Sequence, residues 1–167
     1  MKWIRLLWVA LLTVVIISGC NPTVVKHSEN SKTQHVSNNI LDEMEGKNGH
    51  TLERHAGKSD NELEDRLHRD RHITAASTYY NKETATKAVQ DTLRVHDREI
   101  NHWLYKSHRN RLVLKTHHSF AAGKSVLRSD MRVHDHLHDT LTVLQKDPSS
   151  KLKYKIITSY PIVKGGS

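Results

Sequence analysis

The sequence predicts an α+β domain, with N-terminal helices packed on a C-terminal antiparallel sheet. Three observations carry this. Between residues 50 and 104 the apolar residues recur at helical spacing, from residue 111 the period shortens to that of a strand, and Asp147-Pro148-Ser149-Ser150 supplies turn chemistry between two strand-like runs. Helices first and strands later give an architecture in which helices cover one face of a sheet.

Taken in order, a short helix is expected over about 50–55, stopping at Gly57, which can adopt the left-handed conformation found beyond helix ends. Ser59 followed by Glu62 matches a capping box, and Leu63 and Leu67 share one face of the helix it opens, about 60–69. Residues 75–80, AASTYY, read as extended or loop-like. Asn81 caps a helix carrying Ala85, Ala88, Val89, Thr92 and Leu93, and Ile100, Trp103 and Leu104 continue in a second helical piece. Strands are expected at 111–116, 127–134, 140–146 and 153–163.

The N-terminal end has a different character. Lys2 and Arg5 precede an apolar run from Leu6 to Ile17, shorter than the roughly 20 residues a spanning helix needs. A basic start, an apolar middle and small residues at the end fit a signal peptide over 1–19. Ile17-Ser18-Gly19-Cys20 resembles the bacterial lipobox, which makes Cys20 the expected lipidation site, acylated on sulfur, and the mature N-terminus. The expected location is then the extracytoplasmic side of a cell membrane, anchored through Cys20, or the medium after secretion. An ordinary signal or an uncleaved anchor with an incidental cysteine is the alternative. Residues 20–47, rich in Asn, Ser, Lys and Thr, read as a flexible tether, because they bury too little apolar surface to offset the entropy of ordering them. Residues 48–167 form the single expected domain.

Cys20 is the only cysteine, so the mature chain forms no internal disulfide and no cysteine-based zinc site. With 26 Lys and Arg against 18 Asp and Glu the formal charge is +8, and loss of residues 1–19 leaves +6. Such an excess favours polyanions, nucleic acid or anionic lipid. The 14 histidines strengthen that attraction in acid.

The stretch 49–67, GHTLERHAGKSDNELEDRL, admits a catalytic segment, a metal site or two polar helices. His55 and Arg66 lie on the two helical pieces hinged near Gly57 and can converge. In the last strand, alternation puts Tyr154, Ile156, Thr158 and Tyr160 on one side and Ile157 and Ser159 on the other. An imidazole, a guanidinium and two hydroxyls can cleave RNA without a metal. One group takes the ribose 2′-OH proton, cationic and hydroxyl donors stabilise charge on the phosphoryl oxygens, and an acid protonates the departing 5′-oxygen. Solvated or structural roles for the same residues are the alternative. A rival reading is a histidine-rich metal-binding surface lipoprotein: His134, His136 and His138 share a face if extended, with His117 and His118 on a neighbouring strand, and imidazoles suit zinc, copper or nickel. A third is a noncatalytic lipoprotein that binds RNA or a partner through its basic face. No phosphate-binding glycine loop, G-x-S-x-G elbow or HExxH helix is present.

The succession NGHTLERHAGKSDNELEDRL, ITAASTYYNKETATKAV, INHWL, TVLQKD and YKIITSYP resembles the bacterial RNase A-like toxin domain of contact-dependent growth inhibition effectors and other polymorphic toxins. The resemblance spans about residues 48–162. It implies a pancreatic-ribonuclease-like fold without disulfides, an endoribonuclease needing no cofactor and no metal, and an RNA substrate, frequently tRNA in the family. It also implies a cognate immunity protein, and a monomer is expected. By this carry-over His55 is the proton-transfer residue, Arg66 the phosphate-charge stabiliser, and Thr158 and Tyr160 the phosphate-positioning hydroxyls, with acid and base unassigned. His50, Ser77 and Thr78 match family positions as second-rank substrate-binding candidates. Backbone hydrogen bonding explains His50, and a pocket wall or turn cap explains Ser77 and Thr78, equally well. Ala56, Tyr79 and Ser159 stand where the family commonly has valine, phenylalanine and alanine. Family toxins usually end long proteins delivered into another cell, whereas this chain is short.

Overall fold

The computed structural model describes residues 36–164. Expectations for the signal segment, Cys20 and the first part of the tether lie outside the described residues. The helices are α1 (Ile40–Glu45), α2 (Thr51–His55), α3 (Asp60–Arg69), α4 (Lys82–Val95) and α5 (Asp97–Lys106). The strands are β1 (Ala75–Tyr79), β2 (Arg111–His117), β3 (Gly123–Leu127), β4 (Val133–Leu137), β5 (Asp139–Lys146) and β6 (Tyr154–Ile162). They form two three-stranded antiparallel sheets, β1-β3-β4 and β2-β5-β6. The α+β class and the disulfide-free architecture stand as expected from the sequence.

The caps act as their residue types dictate. Ser59 and Glu62 close a reciprocal capping box at the start of α3, and the Asn81 side chain accepts from the Thr84 N–H at 2.8 Å to start α4. Leu63 and Leu67 then bury one face of α3 against Ala76 and Val126 of the β1-β3-β4 sheet. A larger core joins Val89 and Leu93 of α4, Trp103 of α5, and Leu114, Leu144 and Ile156 of the other sheet.

Four sequence expectations change. Residues 40–45, expected within a tether, form α1, and its Ile40, Leu41 and Met44 are buried in the larger core. A helix of six residues is enough to hide three apolar side chains, yet too short to show a period. The stretch 75–79 is a strand paired with β3, so the sheet does not come from the C-terminal half alone. The strand expected at 127–134 is the hairpin between β3 and β4. Its turn closes with the Met131 N–H donating to the Leu127 carbonyl at 2.8 Å and Met131 at a φ of 51°.

The fourth change concerns β6. Val143 pairs with Thr158 but the next residue, Leu144, pairs with Ile156, so Ile157 is an extra residue in the strand. The bulge reverses the alternation. Tyr154 and Ile156, buried on the core side, share their face with Ser159, while Thr158 and Tyr160, opposite Val143 and Leu141, lie on the other side. Unbroken alternation had put all four of Tyr154, Ile156, Thr158 and Tyr160 together; the pair Thr158 and Tyr160 stays together because both follow the bulge.

The two sheets approach one another along β6, which lies against β1 and β3 as well as pairing with β5. A Cβ on Gly123 would stand 2.0 Å from the Thr78 carbonyl oxygen and 2.9 Å from Cγ of Pro161. Only glycine admits so close an approach of β3 to both neighbours.

Candidate active site

Within α2, Thr51 and His55 are one turn apart and form its buried face. The chain then makes one bridge beside β1, Ala56 next to Tyr79, and Gly57 takes the left-handed φ of 67° that turns it into α3. The Gly57 N–H donates to the Tyr79 carbonyl at 3.0 Å and the Lys58 N–H to Thr78 Oγ1 at 3.0 Å. These bonds hold α2 and α3 against one end of β1.

His55 is 6 % exposed, and its Nδ1 lies 2.9 Å from the Ser77 carbonyl oxygen. A carbonyl only accepts, so Nδ1 carries the hydrogen and Nε2 keeps its lone pair. Burial, reinforced by the positive charges of Arg66, His50 and Arg54 and opposed by the Ser77 bond, pushes the imidazole down to about 4. At neutral pH His55 is an uncharged imidazole, a proton acceptor.

Arg66 comes from the flank of α3, next to the buried Leu67. Burial first, then Arg54, lower its guanidinium, while Asp70 and Tyr160 act in the opposite direction. An arginine stays charged through such shifts. Among the described residues its one hydrogen bond runs from Nη1 to the Arg54 carbonyl at 3.4 Å, leaving most of its fork of donors for a ligand. The Tyr160 ring stacks on His55 with centroids 4.9 Å apart and planes 26° off parallel. Burial raises its phenol and Arg66 pulls it back down. Thr158 Oγ1 is buried and has no hydrogen-bond partner among the described residues. An orphan hydroxyl costs about 1–3 kcal/mol, a cost that an oxygen-rich ligand offsets.

One cleft of about 750 Å³ is lined by His50, His55, Arg66, Ser77, Thr158 and Tyr160, and Ile73, Leu127 and Ile162 extend it with an apolar wall. The four first-rank residues are therefore brought together, from α2, α3 and β6. His50 joins them, its ring centroid 6.4 Å from that of His55. Its imidazole is lowered by burial and by Arg54 and Arg66, against Glu45 and Glu53. Ser77 is a wall of the cleft. Thr78 is not in it: fully buried, its hydroxyl accepts from Lys58 and donates to the Tyr79 carbonyl at 2.8 Å, the turn-cap alternative.

Sequence reasoning missed Arg128, which also lines the cleft. Its Nη2 donates to the Leu67 and Asp70 carbonyls at 2.5 and 2.7 Å and its Nε to the Ile73 carbonyl at 2.8 Å, completing the C-terminal end of α3. Nothing in an arginine beside a supposed strand marks that role. A second imidazole chain, Asp91 to His118 at 2.7 Å and His118 to Thr140 at 2.9 Å, has the connectivity of a catalytic relay. Thr140 and His118 are fully buried, so no substrate reaches them.

The histidine alternation behind the metal-binding reading does not form. His136 sits at a left-handed φ of 54° within an irregular register of β4 on β3, and His134 and His138 are turned to Asp130 and to the His118 carbonyl. Among the described residues no group of three or more His, Cys, Asp or Glu is placed to share a metal ion.

A family model for the bacterial CdiA-CT RNase A domain matches residues 49–161. The chain belongs to this family. No curated protein matches it significantly. A chain of the solved CdiA-CT/CdiI complex from Y. kristensenii 33638 matches with 28 % identity and a TM-score of 0.65, covering 69 % of this chain and all of that one. As a CdiA-CT RNase A domain, the protein is an RNase A-like toxin domain with ribonuclease activity.

Proposed function

We propose that the cleft cleaves RNA by attack of the ribose 2′-hydroxyl on the adjacent phosphorus, without a metal ion. Nε2 of His55 takes the 2′-OH proton. The Arg66 guanidinium faces the phosphoryl oxygens as charge develops on them, and the Thr158 and Tyr160 hydroxyls hold those oxygens in place. A water molecule in the cleft protonates the departing 5′-oxygen and His55 returns its proton to solvent, giving a 2′,3′-cyclic phosphate and a free 5′-hydroxyl. His50 and Ser77 bind the substrate alongside. The observation that carries this reading is the buried imidazole stacked on Tyr160 in the same cleft as a Thr158 hydroxyl without a partner among the described residues and an Arg66 fork largely uncommitted among them.

Because the nucleophile belongs to ribose, DNA is not cleaved. The test uses the chain from residue 20 onward, since α1 belongs to the core. It is incubated in EDTA with total tRNA and with single-stranded DNA of matched length. RNA products ending in 2′,3′-cyclic phosphate and intact DNA are expected; cleavage of DNA, or silence in chelator, refutes the internal nucleophile.

Transfer RNA is a proposed substrate, and the basic charge of the chain supports polyanion binding. The solved relative's complex with CdiI supports a cognate immunity protein for this chain too. The Ile17-Ser18-Gly19-Cys20 segment supports attachment to the outer side of a cell membrane through acylated Cys20. Cys20→Ser is expected to release the protein from the membrane fraction and to remove the lipid mass from its N-terminal peptide. Unchanged retention and mass overturn the anchor.

A further inference from the structure

The residues proposed to act on RNA come from opposite ends of the chain, His55 on α2 and Thr158 and Tyr160 on β6. What fixes one against the other is small and specific. In the sheet β2-β5-β6, β6 is an edge strand, with one row of backbone groups turned away from β5. The N-terminal end of α2 meets that row at two points. The His50 N–H donates to the carbonyl of Ile157, the bulge residue, at 3.1 Å, and the Ser159 N–H donates to Thr51 Oγ1 at 2.9 Å. The two bonds flank Thr158. The first is backbone to backbone and survives substitution; the second depends on one side chain.

Thr51 is 1 % exposed and lies one turn before His55 on the same buried face of α2. The position of Thr51 Oγ1 on β6 therefore sets the position of the His55 ring over Tyr160, the residue after Ser159. On the other side of β6, the Ser159 hydroxyl lies 2.6 Å from the Tyr79 hydroxyl and 2.7 Å from Thr142 Oγ1, so the strand is held from the core while Thr51 holds the helix to it. Ser159 thus connects at its side chain to β1 and β5 and at its backbone to α2. We infer that Thr51 is a positioning residue of the ribonuclease centre, its hydroxyl setting the register between the helix that carries His55 and the strand that carries Thr158 and Tyr160. The inference rests on the reading of the cleft given above, and on a geometric claim that can be measured apart from it.

Thr51→Val keeps the shape and removes the acceptor; Thr51→Ser keeps the acceptor and removes a methyl. In the chain from residue 20 onward, Thr51→Val is expected to lower kcat by about 10- to 100-fold, the scale set by displacement of a reacting group by about 1 Å, with KM little changed. Thr51→Ser is expected to restore most of the rate. The second readout is the NMR signal of the His55 ring protons, which lie beside the Tyr160 ring: they shift in Thr51→Val and stay near their original position in Thr51→Ser. Should the valine variant not fold, Thr51→Cys, which like serine lacks the methyl but presents a poor acceptor, takes its place with the same expectation. An unchanged kcat in a folded variant lacking the hydroxyl, or equal losses in the serine and valine variants, overturns the inference, as does a His55 signal indifferent to the substitution. If the unsubstituted protein cleaves no RNA, the reading of the cleft falls, and the ring signal still decides whether Thr51 positions His55.

Discussion

His55→Ala is expected to lower kcat for RNA cleavage by about 10²- to 10⁴-fold, the contribution of a positioned general base, while the protein stays folded. The stability cost is not zero, because the change leaves the Ser77 carbonyl without its buried donor, a loss of about 1–3 kcal/mol. The pH dependence separates chemistry from packing. Below about pH 4 the His55 imidazole takes up a proton and can no longer act as a base, so kcat in the unsubstituted protein falls on the acid side of that value. The same shift makes His55 a source of acid sensitivity in the fold. Its pKa lies below that of an unfolded histidine, so the unfolded chain binds the proton more readily, and stability is present above pH ~6.5 and lost as pH falls toward 4. The alanine variant therefore has lower stability at neutral pH but a flatter decline between pH 6.5 and 4, measured by thermal unfolding across that range. A rate that survives the substitution removes His55 from the reaction.

Local rules reached far into this molecule, and they failed where two distant segments decide. The capping box at Ser59 and Glu62, the cap at Asn81 and the two leucines of α3 were legible because each is settled within one or two helical turns. The meeting of His55, Arg66, Thr158 and Tyr160 was legible only through the resemblance, since no spacing relates a helix near residue 55 to a strand near residue 160. The face of β6 was misread at Tyr154 and Ile156 because a bulge has no signature in KYKIITSYPIV; Ile157 looks like any other strand residue. The histidine row failed for the same reason, an irregular register of β4 on β3 together with a left-handed His136 breaking the alternation that VHDHLHD displays on paper. The burial of α1 was hidden by its length, and Thr78 by the short bridge of Ala56 to Tyr79 that brings Lys58 to its hydroxyl.

Arg66 allows a sharper experiment, because its charge and its shape have separable consequences. Its positive charge is one of the causes that hold the His55 imidazole down, and its planar fork is what two phosphoryl oxygens require. Arg66→Lys keeps the charge and discards the fork. The expected result is a loss of about 10²–10³ in kcat, as for removal of a donor that stabilises charge in the transition state, with KM little changed and the acid limb of the pH–rate profile near its original place. Arg66→Met discards both. Its kcat is expected to fall at least as far, and the acid limb to move to higher pH, because His55 loses a repelling neighbour and takes up its proton more easily. The shift is limited by burial, the largest cause of the low His55 value, which neither substitution removes. An Arg66→Met variant with an unmoved limb would place the guanidinium too far from His55 to share one phosphodiester with it, and a lysine variant with full activity would show that a point charge suffices where a fork is proposed.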